Sequence, residues 1–123
     1  MTGAGDVVAA RSSLQPMSVP EVDVDELAAR LEDGALVIDV REPHEYVSGH
    51  VAGAVSIPLA AVADRIEDFR DDGPTYVICQ VGARSRRAAE LAAAHGIVAV
   101  NVAGGTGEWI ASGRDVVAGE HPG

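Results

Sequence analysis

An α/β domain is the fold class this sequence predicts: an open, mostly parallel sheet covered by helices on both faces. The short runs ALVIDV (35–40), TYVIC (75–79) and IVAVNV (97–102) are apolar without alternation, as strands buried on both faces read. Segments with helical spacing separate these runs, and strands alternating with helices at such distances imply parallel crossovers. The chain is 47% hydrophobic yet holds one Phe, one Trp and two Tyr, so Val, Ala, Leu and Ile must fill the core. That filling suits a parallel sheet packed by small-faced helices.

In chain order, residues 1–17 (MTGAGDVVAARSSLQPM) mix Gly, Ser, Ala and Pro without a sustained period and read as a disordered N-terminal tail. The folded domain is placed at 18–115 and a short C-terminal tail at 116–123. Asp23, followed three places later by Glu26, resembles a capping box; Leu27 and Leu31 mark the apolar face of the helix it opens, and Gly34 ends that helix. After the strand at 35–40, Pro43 starts a short helical turn, PHEY. GAVSIP (53–58) is another brief strand, and the segment 59–69 carries Leu59, Val62, Ile66 and Phe69 at helical spacing. Asp72, Gly73 and Pro74 turn the chain into the strand that ends at Cys79. A helix is expected over 85–95, with Ala88, Leu91, Ala92 and His95 on one face and Gly96 as terminator. The run 97–102 is the last clear strand. At 123 residues without an internal repeat, the chain fits one domain of this kind.

Nineteen acids against nine bases give a net charge of −10, which phosphate backbones and anionic lipid surfaces repel. Neither nucleic acid nor membrane is an expected partner. All nine bases are Arg, which removes Schiff-base chemistry. A single cysteine excludes an internal disulfide, and His44, His95 and His121 show no ligand spacing, so no metal site is expected. The lone Cys points to a reducing compartment. The first residues show neither a basic leader nor a long apolar run, which makes the expected location cytoplasmic.

In open α/β sheets, ligands bind beyond the carboxyl ends of the strands, where loops lead into helix N-termini. Cys79 stands at such a point: it ends TYVIC, and QVGAR then turns the chain toward the helix at Ser85. Amides of a tight Gly-containing loop and of a helix start converge on one anion, a setting that lowers a thiol pKa to roughly 3.5–7.5. Gly82 supplies the positive φ such a turn demands. Arg84, Arg86 and Arg87 sit at a helix start, where the macrodipole disfavours cations. Arg84, inside the loop, is assigned to face an anion, and Arg86 and Arg87 to a solvated surface. Asp39 and Arg41 end the strand 35–40 on the same sheet edge, where a buried carboxylate and its partner would order the site. His50 is expected to space the backbone, Gly104 and Gly105 to bring the loop after the last strand close to the site, and Trp109 to belong to the core.

Three runs, VIDVREPHEYVSGHVAGAVSIPL (37–59), YVICQVGARS (76–85) and VNVAGGTGEW (100–109), together resemble a rhodanese domain from Leu36 to about Trp109. The order and spacing of three separate motifs make the match specific. The resemblance implies a rhodanese-like, open, mostly parallel five-stranded sheet with helices on both faces. It implies a sulfurtransferase without cofactor or metal, in which Cys79 is the nucleophile and Gln80, Val81, Gly82, Ala83 and Arg84 cradle a persulfide ahead of Ser85. The donor it implies is a small anion such as thiosulfate, and the acceptor is cyanide or a thiol, on a small molecule or a protein. Asp39 and Arg41 match the family's Asp-Val-Arg motif and take a supporting role. Many relatives carry a hydroxyl residue where this chain has Val81, so one side-chain hydrogen bond to the outer sulfur is absent here.

Two other readings share parts of this pattern. A phosphatase or arsenate reductase also uses a Cys and an Arg in an amide-lined loop, but such enzymes resemble Cys, five residues, then Arg. Only four residues separate Cys79 from Arg84. A non-catalytic binding module is the other reading, with Cys79 either idle or sensing oxidants through its sulfenic acid.

Overall fold

The computed structural model describes residues 19–70 and 72–123. The 1–17 tail of the sequence reading lies outside them. Five strands form one sheet: β1 (Glu21–Val22), β2 (Val37–Asp39), β3 (Val55–Ser56), β4 (Thr75–Ile78) and β5 (Ala99–Val102). Their order is β1-β5-β4-β2-β3, and every pairing is parallel. Helices α1 (Val24–Glu32), α2 (Pro43–Ser48), α3 (Ala83–Ala94) and α4 (Gly105–Ala111) complete the α/β architecture. None of these helices is long and apolar enough to cross a membrane.

The non-alternating runs have the cause the sequence implied. Every residue of β2, β4 and β5 is buried, because the sheet is covered on both faces. Successive side chains still point to opposite sides. Ile38, Val40, Val77, Cys79 and Ala99 pack with Ala88, Ala89 and Ala92 of α3 and with Val62 and Phe69. Val37, Tyr76, Ile78, Val100 and Val102 pack on the other face with Leu27 of α1, Tyr46 of α2 and Trp109 of α4.

Three local expectations need correction, and one strand gave no signal in the sequence. The segment 59–69 is not a continuous helix but two 3₁₀ turns, Leu59–Ala61 and Ile66–Phe69. Its apolar residues recur in i, i+3 pairs, which a three-residue turn aligns as well as an α-helix does. Helix α3 starts earlier than residue 85, and its sheet-facing residues are Ser85, Ala88, Ala89 and Ala92, while Leu91 and His95 are exposed. The residues that touch the sheet are the small ones, which lets the helix approach closely and leaves the longer side chains at the rim. The glycine-rich stretch after β5 becomes helix α4, although three Gly in GGTGEW argue against a helix by propensity. The remaining strand, β1, is two residues long and leaves no apolar run to read.

Asp23 caps α1 as expected, its carboxylate accepting from the Glu26 amide at 2.9 Å. Residues 116–123, expected as a tail, run back along the domain. Val116 packs against the α1–α4 side of the core, Val117 bridges His50, and the Gly53 amide donates to the Pro122 carbonyl at 2.8 Å. His50 is fully buried and stacked on Tyr46 with ring centroids 3.7 Å apart. Its ring nitrogens lie 2.9 Å from the Tyr46 and His121 carbonyl oxygens, in keeping with the backbone-spacing role read from GHVAGA.

The connections leaving β2 and β4 diverge, one to β3 on one side of the sheet order and the other to β5 on the opposite side. That divergence opens a crevice at the carboxyl ends of β2 and β4, the place where open α/β sheets bind ligands. Asp39 and Ile78 are register partners at that edge, so the residues that follow them are neighbours.

Candidate active site

Cys79 follows directly on β4 and is only 1% exposed. The loop behind it is held from α4: the Thr106 amide donates to the Cys79 carbonyl at 2.7 Å and the Gly107 amide to the Gln80 carbonyl at 3.0 Å. Across a trans peptide, C=O and N–H point in opposite directions. Fixing the Gln80 carbonyl on α4 therefore turns the Val81 N–H toward the thiol. Gly105 makes this contact possible, since with φ +60° a Cβ on it would stand 2.5 Å from the Cys79 carbonyl oxygen. Gly82, at φ +112°, then swings the chain into α3 and donates its own N–H to Cys79 Sγ at 3.1 Å.

Burial alone would push the Cys79 thiol up. Hydrogen bonds from the Ser85 hydroxyl, at 3.3 Å, and from the amides of Ser85, Gly82 and Val81 outweigh it and hold the thiol below its ordinary value. These groups sit where the loop joins the N-terminus of α3, whose dipole adds to the same effect. The site thus favours a sulfur anion without a charged partner in direct contact.

Arg84, assigned to face an anion, is paired here with a carboxylate. Its Nη1 and Nη2 donate to Glu45 Oε1 and Oε2 at 2.8 and 3.0 Å, a two-pronged pair between α3 and α2. Glu45 is anchored in turn by the Glu42 amide at 2.9 Å. The Arg84 hydrogen bond holds the Glu45 carboxyl down at about 2, and Glu45 raises Arg84, with Cys79 a smaller cause of the same sign. Arg86 pairs with Glu21, and both Arg86 and Arg87 lie on the exposed face of α3, where the sequence reading put them.

Asp39 and Arg41 are sealed inside the sheet edge, 0% and 3% exposed. Arg41 donates from Nε and Nη2 to the Asp39 carboxylate, from Nη2 to the Gly49 carbonyl at 2.8 Å, and from Nη1 to Gln80 Oε1 at 3.2 Å. Gln80 is therefore a tether between β2 and the loop through its side chain. Ala83 is the exposed first residue of α3, and the Val81 side chain is 70% exposed.

Two residues of this neighbourhood escaped the sequence reading. Glu45 lies within EPHEY, where the proline at the helix start drew attention instead. Asn101 is 1% exposed on β5 and accepts from Ser85 Oγ at 2.5 Å, while its own amide nitrogen donates to Glu21 on β1 at 2.8 Å. A polar residue inside the apolar run IVAVNV was the one signal for it. Among the described residues, no three His, Cys, Asp or Glu side chains gather as a metal site.

A rhodanese-like domain family model matches residues 23–112. The chain is 42% identical over 76 residues to the uncharacterized protein YqhL of Bacillus subtilis, covering 61% of this chain but only 60% of that protein. It is 39% identical over 84 residues to the thiosulfate sulfurtransferase GlpE of Pseudomonas entomophila, covering 68% of this chain and 76% of GlpE. The crystal structure of a rhodanese-related protein from Thermoplasma volcanium superposes with a TM-score of 0.76 at 31% identity, over 81% of this chain and 99% of that one. With the fold, the loop and these likenesses in agreement, the chain belongs to the rhodanese-like domain family.

Proposed function

We propose that this protein is a sulfurtransferase that carries a sulfane sulfur on Cys79, taking it from a thiosulfate-like donor and passing it to cyanide or a thiol. The observation that carries the reading is the set of polar groups around one sulfur: the Gly82 N–H at 3.1 Å, the Val81 and Ser85 amides, and the Ser85 hydroxyl oxygen at 3.3 Å, whose proton can turn to a sulfur anion. The likeness to GlpE, whose name is thiosulfate sulfurtransferase, supports the donor class.

In the first step the Cys79 thiolate attacks the outer sulfur of thiosulfate. The sulfur–sulfur bond of the donor breaks, its electron pair leaves on sulfite, and Cys79 becomes a persulfide. In the second, a nucleophilic acceptor attacks the outer sulfur and the electron pair of that bond returns to Cys79 Sγ. No proton moves at sulfur in either displacement, so amide and hydroxyl donors suffice. A reducing, cytoplasmic setting suits a mechanism that depends on one free thiol. A phosphatase reading fares worse, because only four residues separate Cys79 from Arg84 where such enzymes resemble Cys, five residues, then Arg.

Cys79→Ser tests the proposal in a steady-state thiosulfate–cyanide assay. A hydroxyl stays protonated at neutral pH, so turnover should vanish while the circular dichroism spectrum is unchanged. Appreciable turnover by the folded serine variant would refute the assignment.

A further inference from the structure

The Ser85 hydroxyl has one proton and two acceptors. Cys79 Sγ lies at 3.3 Å and Asn101 Oδ1 at 2.5 Å. The direction of the shorter contact follows from the next bond in the chain. Glu21 Oε2 stands 2.8 Å from Asn101 Nδ2, and a carboxylate only accepts, so the amide must turn its nitrogen to Glu21 and its oxygen to Ser85. An amide oxygen cannot donate, which makes Ser85 the donor. The arrangement is built into the sheet: Glu21 and Asn101 are register partners of β1 and β5, and Arg86 from the first turns of α3 holds the Glu21 carboxylate from outside. Ser85 and Asn101 are both buried, at 0% and 1% exposure, so water does not readily substitute for either partner.

We propose that Asn101, oriented by Glu21, is a positioning residue that draws the Ser85 proton away from Cys79 and so restrains the nucleophile at rest. With the proton on Asn101, the Ser85 oxygen offers a lone pair to sulfur, an arrangement that suits the S–H form. Ionisation of Cys79 requires the hydroxyl to rotate and give up the 2.5 Å bond. In the sulfur-loaded state, Sγ is bonded to the outer sulfur and carries little charge, so the proton returns to Asn101. When the acceptor takes the outer sulfur and the electron pair falls back on Sγ, the hydroxyl swings again to meet it. The hydroxyl thus answers to the charge on Sγ, and Asn101 sets how much charge is needed to turn it.

The test is the pH titration of the thiolate's ultraviolet absorbance, which reports one group because the chain has one cysteine. It requires no sulfur donor, so its outcome is independent of the sulfur-transfer reading. Asn101→Leu removes the competing acceptor without adding charge or space for water. It should move the midpoint down by roughly 0.5–1 pH unit, the worth of one hydrogen bond redirected to the thiolate. Ser85→Ala should move it up, and Ser85→Ala with Asn101→Leu should match Ser85→Ala alone, because Asn101 acts through the hydroxyl. Glu21→Leu, at the exposed end of the chain of bonds, keeps the question open to measurement if the core variant does not fold. Its downward shift should be larger with Ser85 present than in Ser85→Ala. A midpoint that rises or stays fixed in Asn101→Leu, or a shift of equal size with and without Ser85, would overturn the proposal.

Discussion

Arg41 and Arg84 both flank the Cys79 loop, yet the protein uses them in different ways. Arg41 is sealed in the sheet edge, with Asp39, Gly49 and Gln80 as acceptors for its guanidinium. Arg84 stands at the mouth of the site with its side chain 35% exposed and one partner, Glu45. Both guanidinium groups are spoken for, but at unequal cost to release. A buried pair leaves an uncompensated charge when broken, whereas a half-exposed one exchanges its partner for water or for an incoming anion. The difference separates an arginine that builds the loop from one that is able to recognise a donor.

Breaking the buried pair gives the largest expected effect. Asp39→Ala strands the Arg41 guanidinium in the core and should lower the unfolding free energy by about 3–5 kcal/mol in urea titration. A loss below 1 kcal/mol would mean that Arg41 finds water and that the sheet edge is less dry than described. At the mouth, the effect should fall on substrate instead of stability. Glu45→Gln frees Arg84 and should lower the thiosulfate KM by about two- to fivefold, the equivalent of ~0.5–1 kcal/mol for an exposed pair. Arg84→Ala should raise KM by a similar factor, and Arg114→Ala, which removes a charge paired with Asp25, should leave it unchanged. Equal effects from Arg84→Ala and Arg114→Ala would show that general attraction, not placement, draws the donor.

Much of this contrast was legible in the sequence, and its limits have physical causes. The apolar runs at β2, β4 and β5 announced buried strands, and the position of Cys79 after β4 announced the site. Asp39 and Arg41 were readable as a supporting pair because both close one strand. The partner of Arg84 was not, since Glu45 lies 39 positions away and only the folding of α2 against α3 brings them together. Helix α4 was hidden for a similar reason. Its glycines oppose a helix locally, and the bonds from Thr106 and Gly107 to the Cys79 loop supply the compensation. The inward face of α3 was misjudged because hydrophobicity favours Leu91, while proximity to the sheet favours alanine.

The smallest effect sharpens the comparison through pH. The Glu45 carboxyl is held at about 2 against an ordinary 4.5, so the unfolded chain binds its proton first as pH falls. Its contribution to stability is complete above about pH 4.5 and is lost progressively as pH drops toward about 2. Solvent screening keeps that contribution small. Glu45→Gln should therefore lower stability slightly near neutrality and bring the variant's curve together with the parent's as pH falls from about 4.5 toward about 2, flattening that part of the acid limb. An unchanged acid limb would show that the Glu45–Arg84 pair does not persist in solution.

The KM effects at Arg84 and Glu45 presuppose that Cys79 carries the sulfur. Intact-mass spectrometry of the protein treated with excess thiosulfate, with Cys79 reduced beforehand and no acceptor present, tests that directly. The account predicts a gain of one sulfur atom, located on the peptide that contains Cys79 and removed again by dithiothreitol, because persulfides exchange with thiolates as disulfides do. An unchanged mass across thiosulfate and other sulfane donors would contradict it and leave the chain a rhodanese-like binding module.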